Sequence, residues 1–158
     1  MVYNEDIINR IKDRLAEQEE TIAVAESVTA GNLQAALSIA MEAKKFYQGG
    51  ITTYNLGQKA RQLNVEPIHA ESVDCISERV ANTMALEVAK LFTSSYGIGI
   101  TGYASPMPGK EEIYAHFSVA HKNEIVFTKR ITSAKKKPYD VQVDYTNQVL
   151  QLFYEHLE

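Results

Sequence analysis

Apolar residues at Ile7, Ile8, Ile11 and Leu15 recur at helical spacing, and Asn4-Glu5-Asp6 supplies a cap and acidic first turn. This predicts a first helix over residues 5–18. Thr21-Ile22-Ala23-Val24-Ala25 is a short, mostly apolar run that reads as a buried strand, and Leu33, Ala36, Leu37 and Ala40 return to the helical period in a helix expected from Thr29 onward. Gly49-Gly50 then introduces Ile51-Thr52-Thr53-Tyr54, β-branched and aromatic, which predicts a strand at about 48–54 and a short helix around Leu56–Leu63. Pro67 and His69 are assigned to a loop. Ser77 suits the cap of a helix along Ile76, Val80, Met84, Val88 and Leu91 that ends near Phe92.

The second half reads as sheet closed by a helix. Tyr96-Gly97-Ile98-Gly99-Ile100-Thr101 is a buried strand, and Gly102 to Gly109 is the most turn-rich stretch of the chain. Ile113, Ala115, Phe117 and Val119 alternate with polar positions, and Glu124–Ile131 follows after His121-Lys122-Asn123, which predicts a β-hairpin. Pro138 opens a final amphipathic helix along Val141, Tyr145, Val149, Leu152 and Phe153. Strands alternating with helices, plus one hairpin, predict an α/β fold with a mixed sheet in a three-layer α/β/α sandwich.

Composition narrows the class. At 158 residues the chain suits one domain over 1–158, and 45% hydrophobic with 23% charged residues excludes a disordered chain. Sixteen Lys and Arg against 20 Asp and Glu give a net charge of −4, which disfavours phosphate-backbone binding, so a small-molecule partner is expected and nucleic acid is not. No stretch approaches the roughly 20 apolar residues of a membrane span, and Met1–Asp6 lacks the pattern of an export signal. One cysteine, Cys75, leaves no intrachain disulfide, so cytoplasmic residence is expected. Small domains of this kind often self-associate symmetrically, so a homo-oligomer is expected too.

Three segments carry candidate chemistry. Ala25-Glu26-Ser27-Val28-Thr29-Ala30-Gly31 runs from a strand end into a helix start, where free N–H groups favour an anion. Ser27 or Thr29 also suits a plain helix cap. Tyr54 and Lys59 flank a strand-to-helix turn, where each equally suits a solvated surface. Gly102-Tyr103-Ala104-Ser105 lies in the turn-rich loop, whose backbone can approach a ligand or merely connect strands. His69, His116, His121 and His156 lack zinc-ligand spacing. Cys75 has no histidine nearby in sequence, and Lys135-Lys136-Lys137 reads as a solvated turn able to attract a phosphate.

In this order the segments resemble the C-terminal domain of the competence-damage protein CinA, a family that includes stand-alone nicotinamide mononucleotide deamidases. The family's A-E-S-C-T-G-G is matched by Ala25-Glu26-Ser27-Val28-Thr29-Ala30-Gly31, and its T-Y-S-N-x-x-K by Thr53-Tyr54-Asn55-Leu56-Gly57-Gln58-Lys59. Its V-S-E-x-V-A corresponds to Ile76-Ser77-Glu78-Arg79-Val80-Ala81, and its G-I-A-G-P to Gly102-Tyr103-Ala104-Ser105-Pro106. The chain departs from the pattern at Val28, Ala30, Tyr103 and Ser105. It also shortens the following loop, and it carries Ser133-Ala134-Lys135-Lys136-Lys137 where the family has G-D-R.

The resemblance implies an amidohydrolase that turns the carboxamide of nicotinamide mononucleotide into a carboxylate and ammonia, with no cofactor and no metal. Ser27 would be the nucleophile and Lys59 the base, and Tyr54 would orient or relay the proton. Backbone N–H groups around Val28 to Ala30 would stabilise the oxyanion, and Glu26, Val28, Thr29, Ala30, Gly31, Gly102, Tyr103, Ala104 and Ser105 would form the substrate-binding set. The departures leave a second reading, a catalytically impaired member that acts as a small-molecule binding or scaffold protein.

Overall fold

The computed structural model describes residues 2–158. Five strands form one sheet in the order β2-β1-β3-β4-β5: β1 (Ile22–Glu26), β2 (Tyr47–Thr52), β3 (Tyr96–Gly102), β4 (Tyr114–His121) and β5 (Glu124–Thr132). β1 pairs in parallel with β2 and β3, whereas β3-β4 and β4-β5 are antiparallel. The sheet is therefore mixed, as the alternation of apolar runs requires.

Period-two alternation sends side chains to two separate cores. Ile22, Val24, Ile98, Ile100, Phe117 and Val119 face one core, which α1 (Glu5–Glu17), α2 (Asn32–Ser38) and α6 (Pro138–Leu157) close with Ile8, Leu15, Leu33, Val149 and Phe153. Ala23 and Ala25 face the other, closed by Leu63 of α3 (Leu56–Leu63), Ala70 of α4 (Pro67–Ser72) and Val80, Met84 and Val88 of α5 (Glu78–Leu91). The result is three layers, helices on both faces of the sheet.

Glycine sets how closely α5 approaches the sheet. On β3 the residues facing α5 are Gly97 and Gly99, and a Cβ on Gly97 would lie 2.2 Å from the Ala85 carbonyl oxygen. A Cβ on Gly99 would lie 2.5 Å from the Ala85 nitrogen. The helix backbone thus rests on bare strand backbone, which Ile98 and Ile100 on the opposite face do not need.

Caps explain several boundaries. Asn55 accepts from Gln58 N–H at the start of α3, and Ser77 accepts from Val80 N–H at the start of α5, each satisfying an otherwise orphaned donor. Three expectations are corrected. The segment assigned to a loop around Pro67 and His69 is the helix α4, capped by Glu66, which accepts from Ile68 and His69 N–H, with Pro67 in its first turn. The helix expected from Thr29 begins at Asn32, because Ala30 (φ 50°) and Gly31 (φ 98°) are left-handed. A short 3₁₀ turn, Ala43–Lys45, precedes β2, which ends at Thr52 rather than near Tyr54.

Candidate active site

Beyond the C-terminal ends of the parallel strands β1 and β3 lies a cavity of about 510 Å³, the usual place for ligands in such sheets. Ser27 lies in the turn just after β1, almost wholly buried, and Lys59 lies on the second turn of α3, 1% exposed. Both line the cavity. They are 32 residues apart in sequence, yet Lys59 Nζ donates to Ser27 Oγ at 2.8 Å. A second bond to the Thr53 carbonyl at 2.9 Å fixes the amine from the other side.

Burial dominates the electrostatics of this lysine. It lowers the Lys59 pKa from the ordinary lysine value, with Cys75 and Asp74 acting in the opposite sense. Depression is the direction required of a lysine that is to serve as a base, since only the neutral amine accepts a proton. Nothing covalent is needed to align the pair. Rotation of the serine hydroxyl turns the same 2.8 Å contact into one in which Ser27 donates to a neutral Lys59.

The turn that carries Ser27 is held from behind by Glu26. This fully buried carboxylate accepts from Leu33 N–H at 2.9 Å, from Gln34 N–H at 2.8 Å and from the Thr29 hydroxyl. It caps α2, whose own cap residue, Gly31, makes no side-chain bond. The Ala30 N–H donates to the Ser27 carbonyl at 3.0 Å, so that amide belongs to the turn.

The other residues expected at the site fall into two groups. Val28, Tyr54, Gly102, Tyr103, Ala104 and Ser105 line the cavity with Ser27 and Lys59. Glu26, Thr29, Ala30 and Gly31 do not; they shape the turn. Tyr54 stands at the mouth, 65% exposed, and makes no hydrogen bond to Ser27 or Lys59 among the described residues. Tyr103 is buried and pinned by main-chain bonds: its N–H donates to the Tyr114 carbonyl at 2.9 Å, and its carbonyl accepts from Tyr145 Oη at 2.9 Å.

One wall was not foreseen. Glu71, Asp74 and Cys75, on α4 and the residues that follow it, also line the cavity. Glu66-Pro67, an acidic cap followed by proline, is the signal that betrays α4 in the sequence. Burial raises the Cys75 thiol above its ordinary value, although Lys59 pulls the other way.

Comparison with known proteins identifies the family. The family model described as the CinA C-terminal domain matches residues 4–157. The chain belongs to the CinA C-terminal domain family. Among curated relatives, a CinA-like protein from Picosynechococcus is 40% identical over 96 residues, 61% of this chain and 23% of that protein. One from Synechocystis is 40% identical over 98 residues, 62% of this chain and 24% of the relative. The match thus spans about a quarter of the length of these relatives. Among solved structures, a CinA superfamily protein from Escherichia coli aligns with a TM-score of 0.87 at 27% identity, covering 96% of this chain and 89% of that one. A CinA superfamily protein from Enterobacter cloacae, at 22% identity, shares the fold with a TM-score of 0.92, over 100% of this chain and 94% of its own.

Proposed function

We propose that this CinA-type domain is an amidohydrolase of the nicotinamide mononucleotide deamidase kind, releasing ammonia from a ring carboxamide. The observation that carries the reading is the buried contact between Lys59 Nζ and Ser27 Oγ at 2.8 Å, at the wall of a cavity. A serine hydroxyl is barely ionised at neutral pH and needs an adjacent base, and a desolvated lysine is one of the few side chains able to supply it.

In this mechanism neutral Lys59 takes the Ser27 proton as Oγ attacks the carboxamide carbon. The tetrahedral oxyanion is stabilised by the main-chain N–H of Val28, the turn residue that lines the cavity beside Ser27. Protonated Lys59 then returns its proton to the departing nitrogen, the C–N bond breaks and ammonia leaves an ester on Ser27. Water attacks that ester with Lys59 again as base, and the carboxylate departs as Ser27 recovers its proton. Thr53 keeps Nζ aimed through both halves by its carbonyl bond. Tyr54 at the mouth would close over bound substrate.

The test is ammonia release from nicotinamide mononucleotide by the purified protein, with Ser27→Ala as the control for contaminating hydrolases. Activity that disappears in the variant supports the reading. Activity equal in both proteins, or absent from both, overturns it.

A further inference from the structure

Among the buried serine and threonine hydroxyls of this fold, one has no partner. Thr29 donates to Glu26, Ser118 to Asn82, Thr101 to the Cys75 carbonyl at 2.7 Å and Thr146 to the Gln142 carbonyl at 2.8 Å, while Ser27 accepts from Lys59. Thr53 Oγ1 lies in a residue only 1% exposed and makes no hydrogen bond among the described residues. An unpaired buried hydroxyl is costly, and valine offers nearly the same shape without it. Packing therefore gives no reason for a threonine here.

The surroundings of Thr53 supply one. Both its main-chain groups serve the candidate site: its N–H donates to the carbonyl of Glu26, the residue before Ser27, at 2.9 Å, and its carbonyl accepts from Lys59 Nζ at 2.9 Å. The backbone is thus held on two sides, and rotation about the Cα–Cβ bond is what remains to bring the hydroxyl to a partner. The neutral amine of Lys59 is served by the Ser27 hydroxyl and the Thr53 carbonyl. As an ammonium it carries three N–H groups, and those two oxygens are its hydrogen-bond partners among the described residues. A third N–H is left over, on a charge that burial has stripped of water.

We propose that Thr53 is a positioning residue whose hydroxyl accepts the third N–H of Lys59 once Lys59 has taken the Ser27 proton. The inference rests on the amidohydrolase reading, in which the lysine alternates between amine and ammonium, and names the group that steadies its charged form. Ser27 Oγ gives its proton to the Nζ lone pair as it bonds to the carboxamide carbon, and one N–H of the resulting ammonium later passes to the departing nitrogen. In the interval Oγ is bonded to carbon and is a weaker acceptor, so Thr53 holds the ammonium through both its oxygens. Thr53 does not line the cavity, so it acts through Lys59 and not on substrate. Glu71, Asp74 and Cys75 line the cavity from the α4 side and Tyr54 and Tyr103 also line it, while Glu26 at the end of β1 turns its carboxylate to α2. None of these groups hydrogen-bonds Nζ, and all remain in a variant changed only at Thr53.

The test reads Lys59 directly. Whole protein with carbon-13 at its lysine Cε atoms is titrated by NMR as the parent, Thr53→Val and Thr53→Ser, the Lys59 signal being the one missing from Lys59→Met. A hydroxyl that accepts from the ammonium favours the charged form, so Thr53→Val is expected to lower the Lys59 midpoint by about one pH unit, and Thr53→Ser to restore it. Ammonia release from nicotinamide mononucleotide is expected to follow, with kcat/KM of Thr53→Val rising through a lower midpoint, kcat roughly 3–10-fold down and KM little moved. Urea midpoints at alkaline pH, where the amine is neutral, are expected to be no lower in Thr53→Val than in the parent. An unmoved or raised Lys59 midpoint in Thr53→Val overturns the proposal, as does a lowered one that Thr53→Ser fails to restore. A lower urea midpoint in Thr53→Val at alkaline pH overturns it too, since the hydroxyl would then have a structural partner. In each of these cases continued ammonia release leaves the amidohydrolase reading in place. If the Lys59 midpoint falls and recovers as expected while no protein releases ammonia, the amidohydrolase reading fails and the Thr53 assignment stands.

Discussion

Lys59 Nζ sits 2.8 Å from Ser27 Oγ and 2.9 Å from the Thr53 carbonyl, so one buried amine ties the turn after β1 to the end of β2. Its position follows from local rules. Asn55 caps α3 and sets the helical phase, which turns Lys59 and Leu63 inward while the rest of α3 is less buried. A cap residue on the surface thereby decides which side chain meets the nucleophile.

The pH dependence of turnover follows from this burial. Because Lys59 acts as a neutral base and burial lowers its pKa, kcat/KM is expected to rise with pH through a midpoint below the ordinary lysine value. Lys59→Arg is expected to lose roughly 10²–10⁴-fold in rate, since a guanidinium does not deprotonate in proteins. A pH profile of ammonia release checks both. A rate that falls as pH rises over the same range would make the charged lysine the active form and sink the base assignment.

The same burial shapes stability. The folded state holds Lys59 at a lower pKa than the unfolded chain does, so between the two values the unfolded chain binds more protons and stability rises with pH. The cost of the buried charge is full below the folded pKa and vanishes once pH exceeds the unfolded value of about 10.4. Lys59→Met removes the titrating group. Urea denaturation of both proteins at a series of pH values is therefore expected to shift the stability difference toward the parent as pH rises. Parallel curves would mean that Lys59 is not desolvated by folding.

Glu26 separates a structural role from a substrate contact. Its carboxylate binds two N–H groups of α2 and the Thr29 hydroxyl, and it does not line the cavity. Glu26→Gln replaces one acceptor oxygen with a donor nitrogen facing donors, with an expected loss of roughly 3 kcal/mol from charge-assisted bonds. Chemical denaturation reads the loss directly. Kinetics should show kcat falling as the Ser27 turn loosens, with KM little moved. A raised KM at unchanged stability would instead make Glu26 a substrate ligand.

Elements with a cap and several turns of periodic apolar residues were readable from the chain. The helix α5 began and ended within two residues of expectation because Ser77 caps it and Val80, Met84 and Val88 mark its buried face. The helix α4 left only its Glu66-Pro67 start as a signal, because six residues are too few for periodicity to register. That omission hid Glu71 and Asp74 and the place of Cys75 on the cavity wall. The meeting of Ser27 and Lys59 is a consequence of pairing β1 beside β2, which no local pattern around either residue contains; only the resemblance joined them. Where the Tyr54 ring lies is set beyond the end of β2, where no periodicity reports it: it lines the cavity and is 65% exposed.

The turn after Ser27 also stores strain that a substitution can release. Ala30 is held at φ 50° and is exposed, so no buried contact rewards the conformation, whereas Gly31 beside it adopts φ 98° freely. A left-handed alanine costs roughly 1–2 kcal/mol, and glycine would lose back about 0.5–1 kcal/mol through the greater freedom of its unfolded chain. Ala30→Gly is therefore expected to stabilise the protein by about 0.5–1 kcal/mol. Ala30→Val is expected to destabilise it by more than 1 kcal/mol or so, because a β-branched residue tolerates this region worst. Urea midpoints of the two variants against the parent decide the matter: a glycine variant no more stable than the parent would show that the Ser27 turn is held without backbone strain.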